Sequence, residues 1–203
     1  MDRPVMLGAP PVERADAARN RLLLLTTARG MLAEQGADRL TMDALAQRAG
    51  LGKGTVFRRF GTRAGIFQAL LDDDERAFQQ RVLSGPPPLG PGAAPLERLI
   101  AFGRARAGFL LGRREIARAA LDGSQPIPAG RRTPMSQVHI RMLLGQLSPG
   151  GLDLDMLTVQ LAAALDGPVL LYLSSDELSD AVDEHERRIG QAWQDLVERV
   201  CRP

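Results

Sequence analysis

The chain has 203 residues, 44% of them hydrophobic and 25% charged, with a formal net charge of +2. That balance describes a folded chain, large enough for one big domain or a small domain joined to a larger one. One cysteine, Cys201, excludes an intramolecular disulfide, and with only two histidines beside it a zinc site of the usual Cys/His kind is excluded too.

Charge is spread unevenly. Residues 1–65 hold 11 Lys+Arg against 6 Asp+Glu, a net of +5, and the remainder carries −3. A basic head on an acidic body suits a nucleic-acid-binding segment joined to a separate body. The most apolar region, 156–173, is interrupted by Asp166, Gly167 and Pro168 and falls short of the roughly 20 apolar residues of a membrane span. With no signal-peptide pattern at the N-terminus, a cytoplasmic chain is expected.

Residues 1–14, with Pro4, Pro10 and Pro11, read as a flexible arm. Helical spacing begins near Asp16, a cap by residue type, and runs through Leu25, Ala28 and Leu32 to Gly36. Thr41 then caps a short helix, with Leu40 and Leu45 at hydrophobic-staple spacing, and Gly50 ends it. Leu51 and Gly52 form a tight turn. A second short helix, 53–60, turns Val56 and Phe60 inward and leaves Lys53, Thr55, Arg58 and Arg59 outward. Gly61 stops it, and Thr62 caps a helix over 63–83, roughly 30 Å long. The acidic run 72–75 reads as a solvated face of that helix.

The proline-rich segment 84–95 is a loop. Helical periodicity resumes over 96–112 and 114–121, a second loop spans 122–134, and helices follow over 135–147, 155–173 and 177–201. No strand-like alternation of useful length occurs, so the expected class is all-α. The domains are an arm at 1–14, a three-helix head at 15–62, a connecting helix at 63–83 and a larger helical body at 84–203.

Two short helices joined by a glycine turn, after a longer helix, make a helix-turn-helix, whose second helix enters the DNA major groove. Gly52 and Gly54 bring no side chain that would hold the backbone off phosphates. Lys53 is the only lysine of the chain, a flexible point charge for a phosphate or a guanine edge. Thr55 can meet a phosphate or a thymine methyl, and Arg58 and Arg59 can bind phosphate or guanine in two-point fashion. Thr41 and Thr62 lie at helix N-termini, which favour anions. Asp43 stands near the entry of the second helix, as a favourable first-turn anion or as an acceptor for a cytosine amino group.

The stretch LTMDALAQRAGLGKGTVFRRFGTRAGIF resembles the DNA-binding signature of the TetR family of bacterial transcriptional regulators. The likeness covers residues 20–70 and rests on Ala-Gly-Leu, then Lys-Gly-Thr-Val-Phe, then the phenylalanine that closes the recognition helix. It implies a homodimeric regulator, more often a repressor, acting on a palindromic operator in double-stranded DNA and answering a small-molecule effector. With one cysteine, two histidines and no catalytic motif, no cofactor, metal or enzymatic activity is expected. By position, Thr41 and Arg63 match phosphate-contacting residues, and Lys53, Gly54 and Thr55 match the base and phosphate readers. Phe57 stands where the family usually has tyrosine; without the hydroxyl it is left to stack on a sugar or a thymine methyl, or to pack in the core. Gly52 stands where the family has serine, and Ala64–Gly65 where it has an acidic pair.

The same resemblance makes the last two helices the dimer interface, with Leu161, Leu165, Leu170, Ile189, Trp193 and Leu196 as candidates. Phe102, Phe109, Met135 and Met142 read first as core; the resemblance implies that part of this set lines an effector pocket, with His139 beside them. Two other classes compete: a helical-bundle enzyme and an interaction protein with a purely structural helix-turn-helix. The sequence offers the enzyme no Gly-x-Ser-x-Gly, no phosphate loop and no Glu-x-x-His pair.

Overall fold

The computed structural model describes residues 11–120, 134–148, 150–173 and 182–201, and every regular element among them is helical. The chain divides into two compact units, residues 1–70 and 71–203.

In the first unit, α1 (Pro11–Gln35) packs on α2 (Met42–Ala49), which packs on α3 (Lys53–Phe60), and α4 (Arg63–Ser84) begins here. Helix α1 starts at Pro11, where the missing N–H leaves no bond unmade. Residues 11–14, expected in the arm, are therefore helical, and residues 1–10 lie outside the described residues. Asp16, expected as a cap, sits inside α1 and pairs with Arg19 one turn on. Leu24, Leu25, Ala28, Leu40, Leu45, Val56, Ile66 and Phe67 are fully buried.

The turn chemistry follows the sequence. Thr41 Oγ1 accepts from the Ala44 N–H at 3.1 Å, Gly50 takes the left-handed conformation at φ 65°, and Thr62 Oγ1 accepts from the Gly65 N–H at 3.0 Å. The two threonine bonds set where α2 and α4 begin, and Gly50 sets where α2 ends ahead of α3.

The second unit contains the rest of α4 with α5 (Pro95–Gly112), α6 (Arg114–Ala120), α7 (Pro134–Leu147), α8 (Leu154–Leu173) and α9 (Val182–Cys201). The loop expected at 122–134 lies outside the described residues apart from Pro134, as do 174–181 ahead of α9. Phe78, Leu99, Phe102, Leu143, Leu161, Leu165, Trp193 and Val197 build one core. Helix α9 fits closely on α5: a Cβ at Gly103 would come within 2.0 Å of Trp193 Nε1, whose N–H donates to the Leu99 carbonyl at 3.0 Å.

That packing corrects two of the dimer-face expectations. Leu161 and Leu165, candidates for that face, are sealed inside this chain's own core, whereas Trp193, packed in the same core, also borders the open groove between α8 and α9. Periodicity shows that a helix face is apolar, but not which neighbour covers it. The acidic run 72–75 is also only partly a solvated face. Asp74 accepts from Arg113 at 2.9 Å, and Glu75 accepts from Arg106 at 2.7 Å.

Candidate nucleic-acid interface and body cavity

The outward side of α3 is assembled by burying its opposite side. Val56 is fully buried and Phe60 half-buried, which leaves Lys53, Gly54, Phe57 and Arg58 exposed. Phe57, at 64% exposure, is a surface ring and not core. A Cβ at Gly52 or Gly54 would meet nothing within 4 Å, so nothing within the described chain needs glycine at either position.

The cations of this unit are sorted by their partners. Lys53 Nζ donates to Asp43 Oδ2 at 2.8 Å, and both side chains are exposed. Arg48 pairs with Glu34, whose carboxyl is held below its usual range mainly by the hydrogen bond from Arg48. Arg59, expected to contact DNA, donates to the Ala17 carbonyl of α1 at 2.7 Å. Arg63, expected on a phosphate, is half-buried: it donates to the Leu40 and Ala37 carbonyls at 2.8 and 2.7 Å and lies over the Phe67 ring. Both arginines tie the head together, a role that sequence spacing does not reveal because their partners lie 42 and 23 residues away. Arg58 meets no carboxylate among the described residues; it makes a long 3.4 Å contact with Thr55 Oγ1. Thr41 and Thr62 spend their oxygens as caps, and their hydroxyl hydrogens remain for an outside acceptor.

In the second unit, Phe102, Met135 and His139 come together on one cavity, with Phe78 and Val82 of α4 and Ser136 of α7. It leaves about 10 Å³ free, room for one water at most. His139 is buried, its ring lies 5.0 Å from that of Phe102 at a tilt of 46°, and its Nε2 has no hydrogen-bond partner among the described residues. Burial, with the nearby Arg98 charge, lowers its pKa to about 4, so the ring is neutral near pH 7. The other two candidates part from this site. Phe109 lines a separate groove of about 320 Å³ with Arg81, Arg113 and Glu186, and Met142 is exposed at 42%.

Alongside lies a buried polar cluster that sequence spacing does not announce. The Arg106 guanidinium, paired with Glu75, lies 5.5 Å from the Phe78 ring and 5.0 Å from the Phe109 ring. Burial raises the pKa of Asp166, against the pull of the Arg106 charge. The one signal in the sequence is the placement of Arg98, Phe102 and Arg106 four apart, on one side of α5.

Of the dimer candidates, Ile189, Trp193 and Leu196 line an open groove of about 360 Å³ with Ala164 and Pro168 of α8 and His185, Arg188 and Ala192 of α9. Leu170 lies on α8, but its side chain is outside the described residues. Among the described residues, no helix is long and apolar enough to cross a membrane.

Residues 24–70 match the family model described as bacterial regulatory proteins, tetR family. No curated protein matches the chain. Several solved structures share its fold. A TetR-family transcriptional regulator from Pectobacterium atrosepticum is 20% identical, covering 92% of this chain and 96% of its own, with a TM-score of 0.70. NalD, the secondary repressor of the MexAB-OprM multidrug efflux pump in Pseudomonas aeruginosa, is 17% identical over 88% and 95%, at 0.53. SmeT, solved as a complex with triclosan, is 18% identical over 89% and 90%, at 0.58. At these identities the likeness establishes the fold.

Proposed function

Starting from a head that is of the TetR family and a chain with that family's all-helical fold, we propose a ligand-responsive DNA-binding transcriptional regulator that acts as a homodimeric repressor on a palindromic operator. One observation carries the reading. The outward face of α3 presents Lys53, Gly54, Phe57 and Arg58 at the surface, and the chain's own packing needs none of them there. Helix α3 enters the major groove with its N-terminal residues at base edges, and Arg58 meets phosphate or guanine.

Two copies associate through α8 and α9. On α9, Gly190, Trp193, Val197 and Cys201 serve the chain's own core, while His185, Ile189, Ala192 and Leu196 form a second stripe along the open groove. Two-fold symmetry then presents the recognition helices to half-sites about 34–36 Å apart. NalD, named as a repressor, and SmeT, solved with triclosan, support the sign of regulation and the binding of a small molecule.

The effector site is the cavity at His139. As it stands the cavity is nearly closed, and Phe78, Gln79 and Val82 of α4 form part of its wall. A ligand that enters binds best to a state in which this wall has moved. Helix α4 is continuous from Arg63 to Ser84, so displacement at Phe78 is passed toward Arg63. A coupling of about 1–3 kcal/mol weakens operator affinity roughly 5–150-fold.

The test is selection of duplexes from sheared genomic DNA by the purified chain, followed by titration of the selected site. A palindromic site bound two chains at a time, and lost on Lys53→Ala with Arg58→Ala while fold and dimer persist, is the expected result. Recovery of no preferred sequence sinks the reading.

A further inference from the structure

In a head that binds DNA as proposed, the Lys53–Asp43 pair bears on how the operator is told from other DNA, a role that rests on that proposed function. Lys53 opens α3 and Asp43 lies in the first turn of α2, so the bond joins the two helices of the motif at its outward side. Both side chains are well exposed, at 74% and 68%. A carboxylate on the face that must meet a polyanion works against affinity, since phosphates within a Debye length, about 8 Å at physiological salt, are repelled. Its position at the N-terminus of α2 makes it harmless to the fold.

The ammonium group has three donors and Asp43 takes one. The result is a group nearly neutral as a pair, with two N–H bonds still to give. A phosphate gains little from such a pair, because its attraction to the ammonium is offset by repulsion from the carboxylate. The O6 and N7 atoms of guanine carry only partial charges and lose less by it than a full phosphate charge does. The free carboxylate oxygen can in turn accept from a cytosine amino group. Arg58, on the same helix, meets no carboxylate among the described residues and keeps its full charge for phosphate.

We infer that Asp43 is a specificity-determining residue: by holding Lys53 it turns the chain's one lysine from a phosphate binder into a reader of a G·C pair. On non-cognate duplexes the pair stays closed and contributes almost nothing. On the operator it docks on one G·C pair in each half-site.

The experiment measures binding of the purified full-length chain to three labelled duplexes by fluorescence anisotropy, between about 50 and about 200 mM salt. They are the selected operator, the operator with its G·C pairs replaced one at a time, and a scrambled duplex. Asp43→Asn and Asp43→Ala free Lys53 for phosphate. The scrambled duplex then binds several-fold tighter, and its log–log salt slope steepens by about one, the increment for one further phosphate contact. Preference for one G·C pair per half-site, roughly tenfold in the parent, is lost. Adding Lys53→Ala to Asp43→Ala removes the steepening of the slope and the share of the gain that Lys53 supplies, leaving only the smaller share due to the lost carboxylate repulsion. Agreement between the isosteric Asn and the Ala variant, with unchanged unfolding temperatures, excludes a damaged α2 as the cause. Scrambled-duplex affinity and slope unmoved in both variants, or weaker binding to every duplex alike, overturns the inference while leaving DNA binding intact. A parent chain that prefers no duplex over the scrambled one overturns the DNA-binding reading and this inference with it.

Discussion

Two ion pairs of nearly equal length lie in opposite settings in this molecule. In the head, Lys53 meets Asp43 at 2.8 Å with both side chains exposed. In the body, Arg106 meets Glu75 at 2.7 Å with side-chain exposures of 4% and 14%. An exposed pair contributes at most about 1 kcal/mol to stability, because water and salt compete for both ends. A buried pair is bound by the opposite logic: once both charges have left water, losing one strands the other. The head therefore holds its charge on terms that an outside acceptor can take over. The body holds its charge as part of the core, with Arg106 stacked on Phe78 and Phe109.

The sharpest way to break this comparison is Arg106→Ala. It leaves Glu75 buried without its cation, beside an Asp166 whose pKa burial already raises. The expected loss is about 3–5 kcal/mol in urea unfolding, against a change within about 1 kcal/mol for Lys53→Ala. Similar losses for the two variants would mean that the settings do not differ energetically.

A second test uses pH. The His139 pKa falls from 6.5 to about 4 by burial, with help from the Arg98 charge. The unfolded chain thus takes up this proton before the folded chain does. The stability at stake is fully present above pH 6.5 and is lost as pH falls toward 4, on the order of 3 kcal/mol. Asp166 works in the opposite sense, since its raised pKa lets the folded chain take a proton first. Comparison with His139→Gln separates the two: the parent should lose stability between pH 6.5 and 4 more steeply than the variant. Parallel pH profiles would show that His139 is not held neutral by the cavity.

How far these settings are legible in the sequence depends on the distance between partners. The head is legible because its signals are local. Thr41 and Ala44, Leu40 and Leu45, Gly50, and Thr62 and Gly65 lie within a turn or so of each other and determine their own conformations. The sorting of its cations is not, because Arg59, Arg63 and Lys53 find partners 42, 23 and 10 residues away. In the body, the gathering of Phe102, Met135 and His139 is visible as three apolar or aromatic-compatible positions, yet Trp193 reads only as part of an outer face and is mostly core, with its indole against α5. Its position depends on a missing side chain at Gly103, 90 residues earlier, and no periodicity within α9 reports that.

Glycines extend the comparison to smaller energies. Gly103 is required by the chain itself: alanine there would place Cβ 2.0 Å from Trp193 Nε1 and force the indole off the Leu99 carbonyl. Gly103→Ala should cost about 2–3 kcal/mol by overpacking, seen as a lowered unfolding midpoint and altered Trp193 fluorescence. An unchanged midpoint would mean that α9 can slide on α5.

Gly54 is the opposite case and carries the smallest expected effect on stability. It lies in the first turn of α3, its surroundings are empty to 4 Å, and alanine suits a helix better. Gly54→Ala should therefore stabilise the chain by about 0.5 kcal/mol. If the bare backbone at Gly54 is there to approach phosphates or base edges, the same variant should bind the operator roughly tenfold or more weakly, as a methyl group holds the helix away from the groove. Greater stability together with weaker DNA binding is an outcome that a merely structural helix-turn-helix does not give. Such a motif would accept the alanine at no cost to any function. Operator affinity undiminished in a more stable Gly54→Ala chain would therefore remove the close approach of α3 from the mechanism and leave Lys53 and Arg58 to carry binding through their side chains alone.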